Sequence, residues 1–118
     1  MFELLEGSHG NTLGLRAVGT ITHDDYAWLV PQVGKLVETY GQVRLLCDLG
    51  NFQSEAADAW LADFQFGLEY HDKIVKMALV GERRWEAWVA RLAAPLYARE
   101  ARYFPSAQID MAWAWVRS

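Results

Sequence analysis

The sequence predicts a single α/β domain, spanning residues 1–118, built on a mixed and partly parallel β-sheet. Two apolar runs, at residues 43–49 and 76–80, are typical of buried parallel strands, and amphipathic segments with helical spacing lie beside them. At 118 residues, with 53% hydrophobic and 22% charged residues, the chain is long enough to form one hydrophobic core. The alternation of strands and helices predicts right-handed crossovers and the element order ββαβαβαβα.

The remaining strands follow from shorter patterns. Residues 2–6 and 12–18 flank a glycine-containing turn and predict an N-terminal hairpin. The run at 76–80 has a candidate start at Ile74 and is closed by Gly81. Residues 101–104 predict a short edge strand.

The first helix has a well-defined start. Thr22 and Asp25 have the spacing of a capping box, and apolar residues then recur at helical spacing as far as Gly41, a natural C-cap. Pro31 interrupts this segment. Because an interior proline costs about 3 kcal/mol, we expect a kink or a later helix start.

Three further helices are expected. Residues 51–54 predict a loop, and Ser54 is placed to cap a helix that runs to about residue 70. Residues 84–97 carry an apolar stripe of helical spacing. Ser106 is placed to cap a last helix that ends at residue 116.

Four segments together resemble a known family: TITHDDYAWLVPQV at 20–33, VRLLCDLGNFQ at 43–53, ALVGERRWEAWVARLAAPLY at 78–97 and ARYFPSAQIDMAWAWV at 101–116. They look like the SpoIIAA-like proteins, a bacterial family related to the STAS fold of anti-anti-sigma factors. The resemblance implies a mixed sheet of four or five strands, covered by about four helices that lie mainly on one face. It also implies a protein-binding role without catalysis.

The resemblance suggests two further properties. Some STAS relatives respond to phosphorylation of a serine at the start of the helix after the third strand, and Ser54 is the candidate here. The chain departs from the D-S-S-G-like pattern of that site, since it reads GNFQSEAADAW. SpoIIAA-like proteins are also likened to CRAL-TRIO lipid-binding domains, which implies an apolar ligand or contact with a membrane.

Composition and motifs exclude several functions. A net charge of -4 and a pI of about 5.3 argue against nucleic acid as a partner. Cys47 stands alone, and the three histidines have no metal-ligand spacing, so neither a disulfide framework nor a metal site is expected. No glycine-rich phosphate loop is present, and we expect no cofactor. An acidic N-terminal segment and the lack of a long apolar run predict a cytoplasmic protein.

The predicted second helix is apolar on two sides. One stripe comprises Ala57, Trp60, Leu61, Phe64 and Leu68, and part of another comprises Ala59, Ala62, Phe66 and Tyr70. Such a helix must bury both sides or leave a patch that binds something. The same segment carries five carboxylates and no Lys or Arg between residues 54 and 72, which is typical of a solvated face.

Residues 83–102 have the opposite charge, with five arginines and two glutamates. Basic residues beside tryptophans suit an anionic membrane interface, although the tryptophans here also share the apolar stripe of a helix. The two oppositely charged helices could equally pair across a symmetric interface, so a homo-oligomer is expected.

The sequence therefore predicts a non-enzymatic binding module for a hydrophobic small molecule, a lipid or the surface of the inner membrane. The expected contacts are apolar side chains of the second helix and a basic turn near an anionic head group: Trp60, Phe64, Phe66, Arg83, Arg84 and Trp85. The alternative is a regulatory module that homodimerises or docks a partner protein, switched at Ser54. An enzyme would require Asp48 or a histidine to meet a nucleophile or a metal.

Overall fold

The computed structural model of the chain describes residues 1–81 and 98–118, apart from the side chains of Glu55, Trp60, Leu61 and Phe64. Five strands and three α-helices are described, together with one short 3-10 turn at Ser106–Gln108. The strands are β1 (Phe2–Leu4), β2 (Thr12–Ile21), β3 (Val43–Glu55), β4 (Ile74–Gly81) and β5 (Glu100–Pro105), and the helices are α1 (His23–Tyr40), α2 (Ala57–Tyr70) and α3 (Ile109–Arg117). The helix expected over residues 84–97 lies outside the described residues.

The five strands form one mixed sheet in the order β1-β2-β3-β4-β5. Strand β1 runs antiparallel to β2, and β2, β3, β4 and β5 run parallel to one another. The predicted N-terminal hairpin and the parallel portion of the sheet are therefore confirmed.

Helices cover both faces of the sheet. Because side chains alternate along a strand, Leu45 joins the core cluster beneath α1 and α2, whereas Leu46 joins the cluster beneath α3. Neighbouring β4 divides in the same way, with Met77 on the first face and Ala78 on the second. The first cluster holds more buried residues than the second, and α3 alone supplies the helical cover of the second face among the described helices.

The start and end of α1 agree with the sequence. The hydroxyl of Thr22 accepts from the backbone of Asp25, whose carboxylate accepts in return from the Thr22 backbone at 2.8 Å. Gly41 ends the helix with φ of 80°, a conformation that glycine adopts without steric cost. The expected late start is wrong, because the helix begins at His23 and Pro31 lies inside it. Pro31 is exposed, so water can satisfy the carbonyl that loses its partner.

Strands β2 and β3 are longer than expected. The sequence indicated a loop at residues 51–54, yet β3 continues to Glu55 because β2 continues beside it to Ile21. Thr20 pairs with Ser54 near this end, and two shifts of register along the strands allow the pairing. A pairing between segments distant in sequence therefore replaces the expected loop.

The last helix is fixed by two basic side chains from the central strands. Arg44 donates to the carbonyl of Val116 at 2.8 Å, and Lys76 donates to that of Trp115 at 3.2 Å. Cations at a helix C-terminus are favourable because the last carbonyls lack intrahelical partners. The expected cap by Ser106 is wrong: this residue opens the 3-10 turn, and the N-cap position of α3 is Gln108, which makes no side-chain cap.

Candidate functional site

Helix α2 turns one of its two apolar stripes into the core. Phe66 is 5% exposed and Tyr70 is 7% exposed, with their ring centroids 5.2 Å apart. Tyr26 of α1 lies 6.3 Å from Phe66, and Gly34 allows α1 to approach the hydroxyl of Tyr70 closely. The buried stripe is thus the one that includes Phe66, so this ring lies in the core and not on the exposed face of α2.

The outer face of α2, defined by the exposed residues Ala57, Asp58, Gln65, Leu68 and Glu69, faces solvent. Leu68 is 68% exposed, the highest exposure among the large hydrophobic residues described. Trp60 and Phe64 occupy helix positions eight and four residues before Leu68, which is the spacing of one helical face, although their side chains lie outside the description.

The predicted basic turn cannot be placed beside this face. Arg83, Arg84 and Trp85 lie in the undescribed segment 82–97, so the proximity of arginine to the outer face of α2 stays a prediction. What the sequence places around Leu68 is acidic, since Asp63, Glu69 and Asp72 lie nearby in the chain and no Lys or Arg occurs from 54 to 72.

Ser54 lies at the end of β3 and is exposed. Its hydroxyl is 3.1 Å from the hydroxyl of Thr20 on the neighbouring strand. The expected role as N-cap is wrong, because Ala56 occupies the N-cap position of α2 and makes no side-chain cap. The candidate phosphorylation site is therefore a surface hydroxyl just before a helix whose first turn has no side-chain cap.

Asp48, which an enzyme would have required to meet a nucleophile or a metal, makes two structural contacts. One carboxylate oxygen accepts from the backbone of Gly50 at 3.0 Å, which is the geometry of an Asx turn. The other lies 3.5 Å from Nε of Arg16 on β2. Neither contact is that of a nucleophile with its base.

Cys47 has the environment of an inert thiol. Burial, and secondarily the charge of Asp48, raises the pKa of Cys47 to about 12, which leaves little thiolate at neutral pH. Across residues 1–81 and 98–118 no three His, Cys, Asp or Glu side chains are grouped so that they could hold a metal ion. Within the same ranges, no helix is long and apolar enough to cross a membrane.

Sequence reasoning missed the contact that holds α3 to the hairpin. The ring of Trp113 packs against Gly7 and Gly14. The guanidinium of Arg117 covers this ring at 4.6 Å from its centroid and donates to the Gly7 carbonyl. The available signal in the sequence was Gly7 and Gly14, since a glycine in a strand often marks a site where another part of the molecule packs closely on the backbone.

Comparison with known proteins identifies the fold. The family model described as SpoIIAA-like matches residues 12–117. The chain is similar to the crystal structure of an uncharacterised protein of the DUF3478 family from Shewanella loihica PV-4, described as having a SpoIIAA-like fold, with a TM-score of 0.81 and 21% identity; the similarity covers 98% of this chain and 92% of that one.

It is also similar to the anti-sigma factor antagonist SpoIIAA in its unphosphorylated form, with a TM-score of 0.64 and 13% identity over 100% of this chain and 99% of that one. A search of curated proteins found no significant match. At these identities the two structures show a shared fold.

Proposed function

Because the chain belongs to the SpoIIAA-like family, we propose that it is a non-enzymatic regulatory module that acts by binding another protein through the outer face of α2. The observation that carries the proposal is the exposure of Leu68 on a helix whose opposite stripe already fills the core. Its fold is that of an anti-sigma factor antagonist, a class whose name denotes action on another protein.

The charge around Leu68 defines the kind of partner. An exposed leucine on a face that also carries Asp58 and Glu69 suits an apolar pocket with a basic rim, because apolar contact supplies binding free energy and complementary charge supplies orientation. The same carboxylates repel an anionic bilayer. A basic protein surface therefore fits the outer face of α2 better than a membrane does.

Ser54 is the candidate switch for this interaction. A phosphate there would carry a charge of about -1.5 to -2 and would replace the hydroxyl contact with Thr20. Glu55 and Asp58 follow it closely in the chain, so the added charge would make the region before α2 still more acidic. We expect Ser54→Asp to change the affinity for the partner, and an unchanged affinity would remove the switch from the proposal.

A hydrophobic ligand is the second candidate, favoured by the position of Leu68 one turn beyond Phe64 in α2. In this alternative the apolar face would contact a small molecule or lipid, with Trp60, Arg83, Arg84 and Trp85 completing the site. Native followed by denaturing mass spectrometry of freshly purified protein tests it directly. A small mass that leaves on denaturation would support the ligand, and liposome flotation would then separate a free ligand from a membrane contact.

Protein binding is tested by capture with matched variants. Wild-type protein, Leu68→Asp and Met111→Asp are immobilised, and proteins retained from an extract of the source cells are quantified by mass spectrometry. Met111 is 58% exposed and lies on α3, across the sheet from α2, so it controls for adding a charge at an exposed apolar site. The proposal predicts a protein retained by wild type and Met111→Asp and lost with Leu68→Asp, and that protein must bind again when purified.

A further inference from the structure

Strand β5 forms one edge of the sheet. Among residues 1–81 and 98–118 no strand pairs with its outer side. The backbone N–H of Arg99 donates to the carbonyl of Ile74, the first residue of β4. This bond fixes which way the backbone groups of each following residue point. Because backbone groups alternate along a parallel strand, Ala101 and Tyr103 turn toward β4, whereas Glu100, Arg102 and Phe104 direct their N–H and C=O groups outward.

The side chains at this edge carry opposite charges two positions apart. Glu100 and Arg102 are both exposed, and they share the sheet face on which Phe104 is buried, with the guanidinium of Arg102 5.4 Å from the Phe104 ring centroid. Glu100 forms no ion pair with any residue in the described part of the chain. Charged side chains on an edge strand usually discourage pairing, because an arbitrary neighbour leaves them unmatched.

One arrangement of two β5 strands places the opposite charges of Glu100 and Arg102 next to each other. In an antiparallel pair of two β5 strands centred on Ala101, Glu100 of each copy lies opposite Arg102 of the other. The registers centred on Glu100 or on Arg102 instead place like charges opposite each other, which is unfavourable between directly facing residues. The Ala101-centred register also brings outward backbone groups against outward backbone groups, as a ladder requires.

We propose that the outer edge of β5 pairs antiparallel with the same edge of a second copy of this chain, about a two-fold axis at Ala101. In this arrangement Glu100 and Arg102 of the second copy exchange both backbone hydrogen bonds, and the symmetric pair does the same. The two five-stranded sheets become one continuous sheet. Since each copy uses the same edge, the assembly closes at two copies.

The interface is short, because only the residues around Ala101 take part. Interfaces well below the standard size are usually weak, so the dimer forms as protein concentration rises. The β5 edge is separate from the outer face of α2, and the two proposals are therefore tested by different substitutions.

Sedimentation equilibrium over a wide range of protein concentration tests the dimer. Arg102→Glu makes the edge wholly acidic and Glu100→Arg makes it wholly basic, and each should weaken self-association at least about tenfold by opposing like charges. The double variant Glu100→Arg/Arg102→Glu exchanges the charges and should restore the dimer. An equimolar mixture of the two single variants should form a heterodimer.

Circular dichroism of each variant confirms folding, and Glu38→Arg on the exposed side of α1 is the control that should leave self-association unchanged. A wild-type protein that stays monomeric throughout overturns the proposal. So does a dimer that persists in both single variants, or one that neither the charge exchange nor the mixture restores in folded protein.

Discussion

The contact between Trp113 and Gly14 makes a quantitative prediction about stability. A Cβ added at Gly14 would lie 2.3 Å from Cη2 and 2.8 Å from Cζ2 of Trp113, and 3.2 Å from Cβ of Leu5. Carbon atoms in contact normally lie about 3.5–4.0 Å apart. In the Gly14→Ala variant the indole ring must therefore withdraw by roughly 1 Å or more, although the guanidinium of Arg117 also packs on this ring, 4.6 Å from its centroid.

The cost follows from the packing. Overpacking a well-filled site costs about 1–3 kcal/mol, and we place Gly14→Ala toward the upper end because the atoms that clash belong to a rigid ring. Replacing glycine by alanine also raises the free energy of unfolding by about 0.4–1 kcal/mol, because it reduces the conformational entropy of the unfolded chain. The net loss should be about 2 kcal/mol, which lowers Tm by about 8 °C in a domain of this size.

Thermal and urea unfolding of a double-mutant cycle provide the assay. Gly14→Ala is measured in the wild-type protein and in a Trp113→Leu background, where the ring is absent and the substitution should cost nothing or slightly stabilise. The predicted coupling free energy is about 2 kcal/mol, of the size seen for residues in contact. Equal effects of Gly14→Ala in both backgrounds would refute the contact.

Four further stability predictions follow from contacts and pKa shifts. Thr22→Ala should cost about 1 kcal/mol of unfolding free energy, because it removes the N-cap of α1; urea unfolding with an unchanged midpoint would contradict this. Partial burial raises the pKa of Asp25, but hydrogen bonds from the backbone and hydroxyl of Thr22 and from the Met1 amine outweigh it, so the net pKa lies below 3.8. The stability that results is present above pH 3.8 and is lost as the pH falls through the folded-state pKa. Asp25→Asn should therefore reduce the fall of Tm at acidic pH. The pKa of Cys47 is raised from 9.0 to about 12, so the thiol ionises first in the unfolded chain and the free energy of unfolding should fall between pH 9 and 12. Cys47→Ala should reduce this fall of Tm with pH, and an identical fall in the variant would contradict the shift. Arg44→Met should lower the free energy of unfolding by about 1–2 kcal/mol, because it removes a charged donor from the end of α3. Thermal unfolding measures the loss, and Lys35→Met, at an exposed position of α1, is the control.

Local signals in the sequence predicted the elements that local physics controls. Thr22 with Asp25 predicted the capping box, Gly41 predicted the end of α1, and the apolar runs predicted the parallel strands. These features depend on residues within one or two turns or on one strand's own composition. Family resemblance added the fold, which the structure confirms.

The longer strands were beyond local reasoning. Residues 51–54 read as a loop because Gly50, Asn51 and Ser54 favour turns, yet pairing with β2 holds them extended. The shifts of register that make this possible depend on both strands at once. For the same reason Ser54 lies near the end of β3 and does not cap α2 as expected.

The orientation of α2 was also beyond the sequence, since both of its stripes are apolar. The choice depends on α1, where Gly34 leaves room for Tyr70 and Tyr26 packs beside Phe66. Once Phe66 is buried, Leu68 must point outward, because residues two apart lie on opposite sides of a helix. The sequence therefore predicted the helix that carries the candidate surface, but it did not predict which side of that helix is exposed.

The most direct test of the proposed function is a calorimetric titration of the purified captured partner into wild-type protein, Leu68→Asp and Met111→Asp. Burying a leucine contributes about 1.5–3 kcal/mol, so Leu68→Asp should weaken binding at least about tenfold. Met111→Asp should bind within about twofold of wild type. Added salt should weaken wild-type binding, because Asp58 and Glu69 share the exposed face of α2 with Leu68. Equal affinity of the two variants for the partner would contradict a docking surface on α2.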